Sequence, residues 1–213
     1  MGKKDDAKLV SEKTKGYFNQ GFNWAESVSL SFKDYFGIKD SALPQLASGF
    51  GGGIGHKGSI CGAFIGSVMA IGMKMGRTDP KDRKTLQKGY DKCQQFWDQF
   101  VKEFGNINCY NIIEAHLDNE EERQKWLAAG GKEKCANLVE KTARMLCDFL
   151  NENKWRYWYF DGAKPHPLGR VKNAASFGRL RTLSLSKCSI NPEQTQGFRQ
   201  GKVDRKSRRV DFL

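Results

Sequence analysis

The sequence predicts an all-α fold: a helical bundle around a central glycine-flanked apolar helix, with an irregular basic C-terminal tail. Three observations carry this. Apolar residues recur at steps of three and four through the long segments up to residue 154. No stretch before residue 155 alternates with period two for long enough to make a strand. From Ser59 to Met73 there is no charge at all. Lys57 and Lys74 bracket a run shorter than the about 20 apolar residues that span a bilayer, so it reads as a buried helix. Residues 1–154 are expected to form one helical domain, and 155–213 an extension.

Residues 7–20 carry Leu9, Val10, Tyr17 and Phe18 and read as a first helix ending near Gly21. Asn23 is an N-cap, followed at helical spacing by Trp24, Val28, Phe32 and Tyr35 up to Gly37. Asp40 or Ser41 is expected to cap a short helix through Leu43, Leu46 and Ala47, with Pro44 in its first turn. Asp79-Pro80 reads as an N-cap with proline at the first helical position. Leu86, Tyr90, Cys93, Trp97, Phe100 and Phe104 then follow as an amphipathic stripe that Gly105 ends. This places Cys93 in a core seam. Asn108 is a cap for a segment with Ile112, Ile113 and Leu117 on one face. Asn119 precedes Glu120-Glu121-Glu122, acids suited to a helix N-terminus, in a helix that stops at Gly130-Gly131. The last helix, about 132–152, carries Cys135, Leu138, Val139, Ala143, Leu146 and Leu150, with Cys147 at the edge of its apolar face.

Between positions 49 and 58 stand six glycines, where a regular helix is uncomfortable. Glycine alone enters positive φ without strain, so the segment reads as a tight loop whose backbone comes close to something. Gly62 and Gly66, one turn apart, let another backbone approach the central helix. Cys61 opens that helix, where unpaired amides and the positive end of the dipole favour thiolate. Cys109 and Cys135 also fall within about a turn of an expected helix start, whereas Cys93 and Cys147 fall mid-helix. The three helix-terminal thiols are therefore the candidates for chemistry, as catalytic residues or as metal ligands. A buried cysteine that only packs is the competing reading for each.

The 38% hydrophobic and 12% aromatic content suffices for a real core. The first residues lack an apolar signal region, so a cytoplasmic protein with reduced cysteines is expected. None of the six cysteines forms a C-x-x-C pair, which removes zinc-ribbon, thioredoxin and haem-attachment signatures. The net charge of +12 is uneven. Residues 1–154 carry 23 Lys and Arg against 20 Asp and Glu, but residues 155–213 carry 13 against 4, so most of the basicity belongs to the tail.

Residues 20–150 resemble the redox-active proteins named for a C_GCAxxG_C_C pattern, small prokaryotic helical proteins with four characteristic cysteines. Cys61-Gly62-Ala63-Phe64-Ile65-Gly66 matches their CGAxxG motif, and Ala47 to Gly55 resembles their glycine loop. Phe104-Gly105-Asn106-Ile107-Asn108-Cys109 is similar to the segment of the third cysteine, and Cys135 falls where the fourth would be. The family's first cysteine usually follows an asparagine. Here Phe22-Asn23-Trp24-Ala25 aligns with that run, and Trp24 occupies the cysteine position.

The resemblance implies thiol-based electron transfer or thiol–disulfide exchange, with an iron–sulfur cluster among the cofactors it allows. Cys61, Cys109 and Cys135 would be the catalytic or ligating thiols. Gly51, Gly52, Gly53, Gly55 and Gly62 would line a bound group. With three sulfurs of four, a fourth ligand would have to come from Cys93, Cys147 or His56. A redox partner protein and a homodimer are the expected partners, with no membrane.

The tail begins with the aromatic run Trp155 to Phe160, expected to fold back on the bundle. The rest, with Arg179, Arg181 and the charge run Lys202 to Arg209, reads as extended or disordered. Aromatics mixed with arginine can stack bases and grip phosphates. The alternative function is thus a basic-tailed helical binding protein, for nucleic acid or a protein partner, whose redox site is degenerate.

Overall fold

A computed structural model describes residues 3–39 and 42–152. The aromatic run, the basic tail, Cys188, and the proposed caps Asp40 and Ser41 lie outside the described residues. Seven α-helices follow in order among those described: α1 Lys3–Asn19, α2 Trp24–Tyr35, α3 Gly62–Met75, α4 Arg83–Phe104, α5 Cys109–Ile113, α6 Glu120–Ala128 and α7 Gly131–Glu152. A 3-10 helix spans Gln45–Phe50. No helix among the described residues is long and apolar enough to cross a membrane.

α3 is the expected central helix. Its glycines allow α2 to lie directly upon it. A Cβ on Gly66 would meet the Ala25 carbonyl oxygen at 2.7 Å, and one on Gly62 would meet the Phe50 carbonyl oxygen at 2.8 Å. α1 packs along α7, tied by Lys15 to Glu133 and Glu140 at 3.3 Å each. Between them a continuous core gathers Val10, Phe32, Ile71, Phe96, Phe100, Val139 and Leu146, all fully buried.

α2 starts as its sequence dictates. The Asn23 side chain accepts from the backbone of Ala25 and Glu26, and Glu26 reaches back to the Asn23 N–H at 2.7 Å. α6 is likewise capped by Asn119, which accepts from Glu122 at 3.0 Å.

Five expectations need correction. The Asp79-Pro80 pair does not open α4: Asp79 accepts from Lys81 N–H in a turn, and Asp82 caps the helix by accepting from Thr85. Pro44 precedes the 3-10 helix instead of standing in its first turn. Leu117 lies beyond α5 and is buried from a turn. The stripe on α4 is rotated by about one residue, because the core takes Phe96 and Phe100 and leaves Tyr90 and Trp97 exposed. Cys93 is consequently half-buried at the margin of the seam, not within it. Cys147, placed at the edge of the apolar face of α7, is instead fully buried.

Candidate functional site

The glycine loop and two helix starts build the site together. Ile60 and Asn108 form an isolated antiparallel β-bridge. Cys61 donates its N–H to the Ile107 carbonyl at 2.8 Å, and Cys109 donates to the Ser59 carbonyl at 2.7 Å. In an antiparallel pair, residues flanking one bridge position share the opposite face. Cys61 and Cys109 are therefore diagonal neighbours on the buried side of the bridge, a relationship that spans roughly 7–8 Å in ladder geometry. Cys61 is the N-cap of α3, and Cys109 is the first residue of α5.

Cys135 comes from the first turns of α7 and is 2% exposed, with Cys61 and Cys109 at 3% each. It lies near enough to the other two for their charges to interact. Trp24, first residue of α2, turns its indole N–H to the Cys135 sulfur as a donor. Trp24 thus addresses a site sulfur from the start of α2.

Burial decides the electrostatics. It pushes the Cys61 thiol up to about 11, although the backbone N–H groups of Ala63 and Phe64 stand over the sulfur and pull the other way without closing a capping bond. Burial raises Cys109 to about 12, and prospective thiolates at Cys61 and Cys135 add to the rise. Cys135 is also raised to about 12 by burial, against the lowering influence of Trp24. The helix start favours the Cys61 anion, as its position implied, but desolvation is the larger effect. Cys61 is buried at this helix start, where the glycine loop folds against the site.

The loop does so through an unusual backbone. From Gly52 to His56 every φ is positive, between +56° and +73°. Its carbonyls take wide turns, with Gly58 N–H donating to Gly52 and Ser59 N–H to Gly53, at 3.1 and 3.0 Å. A Cβ on Gly53 would lie 2.6 Å from the Ser59 backbone and 2.7 Å from the Cys109 Cβ. What the loop approaches is the protein itself. Gly51 meets the Asn23 side chain, Gly52 the His56 ring, and Gly62 the start of α2; Gly55 faces open space.

His56 packs its ring over Gly52, and His116 stacks on Tyr110 with centroids 4.1 Å apart. Cys147 lies in the hydrophobic core, with Asn151 donating to its sulfur at 3.5 Å. Among the described residues no three His, Cys, Asp or Glu side chains are grouped closely enough to hold a metal ion. Sequence reasoning missed the Ile60–Asn108 bridge, because one bridging pair leaves no alternating pattern. It missed Trp24 as a donor too, since an indole at a helix start reads as packing.

A family model described as "Putative redox-active protein (C_GCAxxG_C_C)" matches residues 22–149. An uncharacterized protein of Archaeoglobus fulgidus is 26% identical over 157 residues, covering 70% of this chain and 99% of its own length. No solved structure matches.

Proposed function

Because the chain belongs to the redox-active C_GCAxxG_C_C family, we propose that it performs two-electron thiol–disulfide chemistry at Cys61 and Cys109, with Cys135 as the third thiol of the site. The observation that supports this reading is the bridge that holds the two cysteines on one buried face beside a third. In the oxidising step one cysteine, as thiolate, attacks the oxidant and is joined to it as the first leaving group departs; the second cysteine gives up its proton, attacks that sulfur and expels the rest, so the S–S bond forms as two electrons pass to the oxidant. A partner disulfide takes them and becomes a dithiol, or a peroxide takes them and becomes two hydroxylic products.

The raised pKa values set the resting state. At neutral pH only about one thiol in ten thousand is ionised when its pKa is near 11, so the buried dithiol is slow toward free oxidants. A disulfide requires Cα atoms roughly 4.4–6.8 Å apart, slightly closer than ladder diagonals, so the bridge must tighten as the bond forms. Local opening of the glycine loop admits the acceptor. This favours a docking partner protein over a diffusing small oxidant. The cytoplasm, where dispersed thiols stay reduced, is the compartment we assign.

The thiols as they stand do not match a metal-ligand group, so no step is routed through an iron–sulfur cluster. The test is a paired assay on anaerobically purified full-length protein: iron and acid-labile sulfide content, and thiol count before and after oxidation. The dithiol reading requires two thiols lost reversibly and no stoichiometric iron. Stoichiometric iron with sulfide would replace it by a cluster.

A further inference from the structure

We propose that a cavity beside Trp24 binds a small planar aromatic anion of one or two fused rings, a carboxylate or sulfonate. The cavity has a volume of about 270 Å³ and is bounded by the end of α1, the start of α2, α6 and the start of α7. It is separate from the thiol chemistry, although Trp24 belongs to both.

The walls fix the chemical class. Trp24, Trp126 and Phe22 line the space. Trp126 is held flat by the backbone, since a Cβ on Gly131 would lie 2.1 Å from the indole Cε2. Phe18 meets Trp24 with ring centroids 5.5 Å apart and steadies that ring in turn. Rigid aromatic walls favour a flat ligand, because stacking adds to area burial and little side-chain freedom is lost.

The rim fixes the sign. Arg123, paired with Glu120, and Lys132 line the cavity, and no carboxylate does. Arg123 is held by Glu120 and by the Leu117 carbonyl, so its position is set. Lys132 has no ion-pair partner among the described residues and is exposed at the mouth. An anion bound there gains a charge-assisted contact without displacing an existing pair at Lys132.

The experiment is calorimetric titration of the full chain with naphthalene-2-sulfonate, with neutral 2-naphthol, and with hexane-1-sulfonate. The aromatic sulfonate should bind one per chain and about tenfold tighter than either comparison ligand, a difference of about 1.4 kcal/mol. Lys132→Gln and Arg123→Gln should each weaken it about threefold or more, as expected for loss of one charged contact. Lys125→Gln, on the same helix but paired with Glu121 at 2.7 Å, should leave binding unchanged. Because Lys132 is exposed, its variant tests the idea even where Arg123→Gln unfolds. Equal binding of 2-naphthol, or sulfonate binding indifferent to Lys132→Gln, would overturn the proposal. So would no binding at millimolar ligand, or several sulfonates bound equivalently by the basic tail.

Discussion

Gly53 lies against Cys109 so closely that a Cβ on the glycine would stand 2.7 Å from the Cys109 Cβ. The glycine loop and Cys109 are therefore one packed unit. Gly53 also has φ +73°, so both space and backbone conformation demand glycine there. Gly53→Ala should destabilise the chain by about 2 kcal/mol or more, read as a lower urea midpoint. Ile54, next in the loop at φ +63° and half-exposed, carries strain without that contact. Ile54→Gly should stabilise the chain by about 1 kcal/mol, read as a higher midpoint. Opposite signs at adjacent positions would distinguish a packed left-handed loop from a floppy one; equal effects would refute it.

Stability should fall in alkali. Cys61 and Cys147 rise from 9.0 to about 11, and Cys109 and Cys135 to about 12, each chiefly through burial. Tyr17 and Tyr35 rise from 10.0 to about 12 with the same sign. Where a folded pKa exceeds the unfolded one, the unfolded chain releases protons first. The contribution is intact below pH 9 and is lost as pH climbs from 9 towards 12. Lys74, lowered by burial, runs the other way but is a single group. Urea midpoints under reducing conditions at pH 7, 8.5 and 10 should decline only at the last. A midpoint that is flat or rises to pH 10 would contradict the buried thiols.

The order of alkylation should separate packing from exposure. Among the five described cysteines, Cys93 is half-buried, and Cys61, Cys109, Cys135 and Cys147 are buried. In a Cys188→Ser background, iodoacetamide should modify Cys93 first in the native reduced chain, with the others protected until denaturant is added. This reverses the order that helix position alone suggests for Cys61 and Cys93. Early labelling of Cys61 in the native protein would show that the loop stands open.

The helices were legible because each rests on local chemistry. Asn23 and Asn119 announce α2 and α6 by side chains that reach their own next turn. Gly62 and Gly66 announce close packing because the missing Cβ is itself the signal. The α4 register was not legible: Phe96 and Trp97 are equally apolar neighbours that both meet Phe64, and it is the further contact with Phe149 of α7 that draws Phe96 into the interior. At the site, the helix-start positions of Cys61, Cys109 and Cys135 could be read from the sequence. Their burial could not, since it depends on the loop folding back to Ser59 and Cys109 through hydrogen bonds between distant residues. The balance between dipole and desolvation at Cys61 turns on that burial.

Disulfide mapping tests the central claim most directly. The reduced full-length protein, oxidised with a limiting amount of diamide, would be trapped in acid and its peptides read by mass spectrometry. The account predicts a Cys61–Cys109 disulfide as the first product, reversed by dithiothreitol and absent from Cys109→Ser. A first disulfide through Cys93 or Cys147, or none among Cys61, Cys109 and Cys135, would contradict it.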